Sequence, residues 1–189
     1  GADALGEFSQ IRRVAALWVP MGTLGLSMSL GRFIPRLASR AIIRRRALQC
    51  FALVVAVLIL HLLVIDELWR LGALAPVTGS DPELTRPFLA QLSGLCALVM
   101  PYALLRGMHR IRSAAALQVL GYAVWPLVAA VLFRDNVAQL ILAIGLGQLK
   151  IAALAALLVL IWGRPKRTPD EPAAEGIGRW LTYGLVRLP

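Results

Sequence analysis

Five long apolar stretches constrain the fold of this chain more than any other feature. A helix rises 1.5 Å per residue, so about 20 apolar residues cross the roughly 30 Å of hydrocarbon in a bilayer. The hydrophobic fraction of 59% and the mean hydropathy of +0.73 are far above those of a soluble domain of 189 residues. The sequence predicts an all-α polytopic membrane protein. Its five predicted transmembrane helices are 14–34, 47–65, 87–105, 113–133 and 137–162.

The net charge of +10 does not indicate a nucleic-acid-binding protein, because the basic residues lie at the ends of the apolar spans. No stacking aromatic residues or compact basic segment accompany them. Cys50 and Cys96 both fall within predicted spans and lack metal-ligand or CxxC spacing. The sequence therefore predicts no nucleic-acid partner, no disulfide scaffold, no metal site and no cofactor.

The basic residues predict how the spans are oriented. Cationic loops stay in the cytoplasm, and the connections after the first, third and fifth spans hold 14 of the 20 Lys and Arg residues. This places residue 1 in the periplasm and residues 164–175 in the cytoplasm. The cations assigned to the cytoplasm are Arg32, Arg36, Arg40, Arg44, Arg45, Arg46, Arg106, Arg110, Arg112, Arg164, Lys166, Arg167, Arg179 and Arg187.

Charge and proline content also suggest the domain organisation. Residues 1–163 are predicted to form a transmembrane lobe, and residues 164–175 a Pro-rich charged linker. Residues 176–189 are predicted to begin a further interfacial or transmembrane helix, because Trp180 and Tyr183 suit a membrane interface. An external start without a signal peptide leads us to expect an upstream helix, or alternatively a processed N-terminus.

Small residues predict where helices approach each other closely. Gly22, Gly25 and Ser29 form a smooth stripe on the first span, and Gly145 lies near Gly147 on the last. A tight turn is expected over residues 134–136, between the last two spans. Prolines within three spans predict bends, at Pro20, Pro101 and Pro126.

Three short motifs give the chain a family resemblance. They are LGEFS at 5–9 with GRFIP at 31–35, LLRGMHR at 104–110, and RWLTYGL at 179–185. In these motifs the chain resembles bacterial polysaccharide flippases of the Wzx-like type, which belong to the multidrug/oligosaccharidyl-lipid/polysaccharide exporter superfamily. Val186 departs from the resemblance, since proline is more usual at that position.

The resemblance implies an architecture of two six-helix lobes, of which this chain would hold the second to sixth helices and the start of the seventh. It implies that an isoprenoid-pyrophosphate-linked oligosaccharide is flipped across the bacterial inner membrane by alternating access. The product would serve O-antigen, capsule or exopolysaccharide synthesis. The implied partners are the lipid-linked substrate, membrane lipids, and the polysaccharide polymerase and glycosyltransferases of the same pathway.

Four residues are candidates for substrate binding. Lys150 lies near the middle of the last span, where a cation usually faces a cavity or a partner, and Gln148 lies two positions before it. We expect Lys150 to attract the pyrophosphate or an acidic sugar. The alternatives are a structural pair with a carboxylate in the lobe that this chain does not hold, or a shorter, shifted span that lets Lys150 snorkel. Arg32 and Arg106 follow the first and third spans, where they either attract anions or anchor the helix ends.

Other functions fit the sequence less well. A membrane phosphatase or glycosyltransferase needs clustered carboxylates, histidines or a metal site. Asp and Glu are absent from every predicted span. The sequence therefore predicts that the chain is not an enzyme. A multidrug or cation exporter of the same superfamily is an alternative, although it favours acidic residues in its cavity. A membrane scaffold subunit without transport activity is the alternative from a different class.

Overall fold

A computed structural model of the chain describes residues 2–37, 40–71, 84–162 and 177–186. The described part is helical and contains no strands. The linker at 164–175, residue 1 and residues 72–83, between the second and third predicted spans, lie outside the described residues. The helices are α1 (Ala2–Gly22), α2 (Leu26–Phe33), α3 (Arg40–Arg70), α4 (Thr85–Gly107), α5 (Ile111–Val119), α6 (Trp125–Leu132), α7 (Val137–Trp162) and α8 (Ile177–Leu185). A 3-10 turn follows α2 at Ile34–Arg36, and a π-helix, Leu120–Val124, joins α5 to α6.

Four helical segments are long and apolar enough to cross a membrane. They are Ala41–Leu68, Thr85–Gly107, Ile111–Leu132 and Val137–Ile161. A fifth span results if the bent pair Ile11–Gly22 and Leu26–Arg36 is counted as one. The described residues thus form an all-α fold with four to five potential spans, which is compatible with a multi-pass membrane protein.

The first predicted span, 14–34, is not one continuous helix. The segments on either side of residues 23–25 are bent by 56° relative to each other. The amide of Gly25 donates to the carbonyl of Pro20 and the amide of Leu24 to that of Met21, each at 3.0 Å. These two bonds form a Schellman motif, which ends a helix. Leu24 and Gly25 are left-handed, with φ of 48° and 63°, so the bend predicted at Pro20 occurs a turn later.

Helix α4 lies at the centre of the fold. In its most apolar window 72% of the residues are buried, against 17% to 28% in the other three spans. It packs along α7, and the two backbones approach each other closely where Gly94 faces Gly145. A Cβ atom at Gly94 would lie 3.0 Å from the Cβ of Gln148 and would overlap the carbonyl of Gly145. The prediction that Gly145 serves close packing is confirmed.

The fourth predicted span is α5, the π-helix and α6 in succession. Pro126 stands in the first turn of α6, just after the π-helix. Trp125 packs its indole against Gly147 and donates from Nε1 to the carbonyl of Ala143, at 3.0 Å. After α6 the chain turns tightly, as expected, and Asn136 Oδ1 accepts the backbone amide of Gln139 at 2.9 Å to cap α7.

Helix α8 packs antiparallel against α2. The backbones touch where Gly25 meets Gly184, and one turn later Ser29 Oγ donates to the carbonyl of Trp180 at 2.6 Å. The Trp180 side chain is buried and stacks on Phe33, with ring centroids 5.4 Å apart. Of the small stripe predicted on the first span, Gly25 and Ser29 therefore receive another backbone, which belongs to α8, whereas Gly22 faces the side chain of Cys96 on α4. Trp180, which suited a membrane interface, packs inside the fold instead.

Candidate functional site: a basic cavity between α2, α4 and α5

A cavity of about 600 Å³ opens at the end of the fold that α2 and α4 share. We call it the basic cavity, because two arginines lie among its lining residues. It is lined by Ser27, Met28, Gly31, Arg32, Val99, Tyr102, Ala103, Arg106, His109 and Ile111. Two of the four predicted substrate-binding residues, Arg32 and Arg106, are thus brought together, although they are far apart in the sequence.

Arg32 lies in the last turn of α2 and is positioned by α8. Its Nη1 donates to the hydroxyl of Tyr183 at 2.9 Å. Its guanidinium carbon lies 4.5 Å from the centroid of the Tyr183 ring, within range of a cation–π interaction. These contacts restrict the conformations of a long side chain that would otherwise be free at a helix end.

Arg106 lies in the last turn of α4 and is positioned by its own helix. Its guanidinium carbon is 5.7 Å from the ring centroid of Tyr102, four residues earlier. This spacing places both side chains on one face of a helix. Gly107 brings the two helix ends together, because a Cβ there would lie 2.7 Å from the carbonyl oxygen of Leu30. The ends of α2 and α4 therefore present their arginines to the same space.

His109 reaches the cavity because α4 ends in a second Schellman motif. The amide of Arg110 donates to the carbonyl of Leu105, and that of His109 to the carbonyl of Arg106, each at 2.9 Å. His109 is left-handed, with φ of 56°. Such a backbone is costly for a residue other than glycine. The turn places the imidazole among the lining residues of the cavity that also holds the two guanidinium groups.

The charges around this cavity are of one sign. No carboxylate is among its lining residues, and in the described part of the chain neither Arg32 nor Arg106 forms an ion pair. A guanidinium carries five N–H donors that match phosphate or carboxylate oxygens. Met28 and Val99 add apolar surface. The cavity can therefore accept an anionic group that is attached to an apolar chain.

The other two candidates lie elsewhere. Gln148 is buried, accepts a hydrogen bond from Gln91 Nε2 at 3.2 Å, and donates to the carbonyl of Gly121 at 3.1 Å. It thus links α7 to α4 and to the π-helix. Lys150 is exposed on the opposite side of α7. Neither residue lines the basic cavity.

The sequence did not predict that three aromatic residues lie in the same region as the two arginines. Tyr102 could have been found, because it precedes Arg106 by four residues within one span. His109 stands in the LLRGMHR motif, but only its left-handed backbone places it in the cavity. Tyr183 lies 151 residues from Arg32, and no local pattern signals that contact.

Comparison with known proteins does not identify this site. No family model matches the chain, and neither the curated proteins nor the solved structures include a match. We therefore infer function from the residues that line the basic cavity, together with the sequence motifs that contain them.

Proposed function

We propose that this chain is part of a transporter that flips an isoprenoid-pyrophosphate-linked oligosaccharide across the bacterial inner membrane. In this proposal the basic cavity receives the diphosphate at the cytoplasmic face. The observation that carries it is the pair Arg32 and Arg106, which line one cavity whose lining residues include no carboxylate. The guanidinium group of arginine forms two parallel hydrogen bonds to phosphate oxygens.

The positions of the two arginines support an amphiphilic ligand. Arg32 and Arg106 occupy the last turns of their helices, and in this proposal those turns lie at the level of the lipid headgroups. The apolar side chains of Met28, Val99 and Ile111 lie beside them. An isoprenyl chain would remain in lipid while its diphosphate binds the guanidinium groups.

A protein route is required because the headgroup cannot cross hydrocarbon alone. Each desolvated hydroxyl or phosphate oxygen would lose its hydrogen bonds, at a cost of several kcal/mol. Alternating access of two lobes supplies polar partners to one face at a time. The two cavity arginines belong to the motifs GRFIP and LLRGMHR, which carry the resemblance to polysaccharide flippases.

The test uses the full chain in nanodiscs of neutral phosphatidylcholine, with farnesyl diphosphate, farnesyl monophosphate and farnesol as probes. We expect the diphosphate to bind most tightly. A charge-assisted hydrogen bond contributes about 1.5–3 kcal/mol, so Arg32→Gln and Arg106→Gln should each weaken binding by about tenfold or more. Arg112→Gln is the matched control, because Arg112 is exposed nearby but does not line the cavity.

Equal binding of farnesol and the diphosphate would contradict the proposal, as would equal losses in Arg112→Gln and Arg106→Gln. Preferential binding of an organic cation such as ethidium would favour the multidrug exporter instead. The transport step is measured with a fluorescent isoprenyl-diphosphate sugar in proteoliposomes that contain the intact protein. Dithionite added outside bleaches the probe molecules that have reached the outer leaflet.

A further inference from the structure

The outward side of α7 carries a cation within an apolar surface. Leu146, Lys150, Leu154, Leu157 and Ile161 recur every three or four residues and are all exposed. We call this set the outer face of α7. The opposite side of the helix, which includes Ile141, Gly145 and Gln148, packs against α4.

Lys150 lies in the middle of α7. At 1.5 Å per residue, its Cα is about 20 Å from Val137 and about 18 Å from Trp162 along the helix axis. A lysine has a four-carbon stem, which covers less than half of the roughly 15 Å from the bilayer centre to an interface. With α7 centred in the bilayer, snorkelling therefore does not bring this ammonium group to water, and the cation needs a partner at its own depth.

The partner is absent from the described residues, in which Lys150 forms no hydrogen bond or ion pair. A second copy of the chain cannot supply it either. All ten Asp and Glu residues of the sequence lie outside the mid-membrane parts of the predicted spans. A carboxylate at the depth of Lys150 must come from a different helix.

We propose that the outer face of α7 binds a transmembrane helix, from outside residues 1–189, that carries one Asp or Glu at mid-depth. Lipid tails solvate leucine side chains as well as another helix does, so apolar area alone gives little specificity in a membrane. The ion pair with Lys150 selects the partner and sets its register. Leu146 and Leu154, one turn on either side of Lys150, would pack around the pair. This inference does not depend on the proposed function.

The test uses a synthetic partner of defined sequence. The probe is a Leu/Ala peptide of about 21 residues, long enough to span the bilayer, with a single central Glu. Matched peptides carry Leu at the centre, or carry the Glu near one end. Association with the full chain is measured by fluorescence energy transfer in neutral phosphatidylcholine vesicles. Because Lys150 is exposed, substitutions there leave the packing of α7 on α4 intact. Measurements of helicity and of thermal unfolding check this.

We expect the central-Glu peptide to bind the wild-type chain about tenfold more tightly than either matched peptide. Lys150→Met should remove this preference, and Lys150→Arg should keep it. Lys150→Glu should transfer the preference to a peptide with a central Lys. Equal binding of the Glu and Leu peptides to the wild-type chain would overturn the proposal. Modification of membrane-embedded Lys150 by a water-soluble amine reagent would overturn it too, by showing a solvated ammonium group.

Discussion

Gln148 and Lys150 are two positions apart on α7, and the structure gives them opposite surroundings. A helix turns about 100° per residue, so residues i and i+2 point away from each other. Gln148 lies buried among α4, α7 and the π-helix, whereas Lys150 is exposed. The carbonyl of Gly121, which the Gln148 amide binds, belongs to the π-helix, where regular α-helical bonding is interrupted. Gln148 thus links three helical segments inside the fold.

This role predicts that Gln148→Leu destabilises the fold. The carbonyl of Gly121 and the amide of Gln91 would lose their partner, at a cost of about 1 kcal/mol in the free energy of unfolding. The measurement is unfolding of the purified chain in mixed micelles by added dodecyl sulfate, followed by circular dichroism. Gln139→Leu is the matched control, since Gln139 is exposed on the same helix. Equal stability of the two variants would contradict the structural role.

The sequence alone could have shown that Gln148 and Lys150 do not line the same cavity wall. Residues two positions apart point to opposite sides of a helix. Arg32 and Arg106 were identified correctly as neighbours of helix ends, because cations collect there. Their convergence on one cavity was not predictable. It depends on how closely Gly107 lets α4 approach α2, which is a property of the packed helices.

At the scale of helices, the contact between α2 and α8 depends on glycine. Gly25 is left-handed, with φ of 63°, and a Cβ there would overlap the backbone of Gly184. A Cβ on Gly184 would in turn lie 2.7 Å from the carbonyl oxygen of Leu24. Each position requires glycine because of its partner, and Gly25 requires it also because of its own backbone.

We therefore expect Gly25→Ala to release α8 from α2. The left-handed backbone alone costs roughly 1–2 kcal/mol with alanine, and the overlap with Gly184 adds to this. Hydrogen exchange of the amides at 177–185, followed by mass spectrometry, should become markedly faster. Gly31→Ala is the matched control on the same helix, because a Cβ at Gly31 meets no atom within 4 Å. Similar exchange in both variants would show that α8 does not depend on this contact.

The helices themselves follow from the sequence more closely than their breaks do. Apolar length alone predicts α3, α4 and α7. The break in the first span was predicted at Pro20 and not at residues 23–25, because two adjacent left-handed residues create it, and one of them is Leu24, which gives no sequence signal. The π-helix was missed for a similar reason. Its Gly121 carbonyl accepts a hydrogen bond from Gln148 of another helix, a contact that no local pattern signals.

At the scale of the whole molecule, the structure places the ends of α2 and α4 together around the basic cavity. This agrees with the orientation predicted from the basic residues, in which both ends face the cytoplasm. The turn at Asn136 follows α6 and is predicted to lie on the periplasmic side. The orientation itself stays a prediction.

Labelling of single cysteines tests it. We expect Ile111→Cys, at the mouth of the cavity, to react with a membrane-impermeant maleimide only in inverted vesicles. Asn136→Cys should react only in intact spheroplasts. Both residues are exposed, whereas the native Cys50 and Cys96 are fully buried, so the unmodified chain provides the blank. Labelling of both positions from the same side would contradict the predicted orientation.

The bond between Ser29 and Trp180 also has a consequence for how the protein is made. The two residues are 151 positions apart. A ribosome adding about 5–20 residues per second needs roughly 8–30 s to cover that distance. Throughout this interval the contact between α2 and α8 cannot form, because Trp180 has not yet been added to the chain. The end of α2 therefore reaches its final packing only after the other described helices have been made.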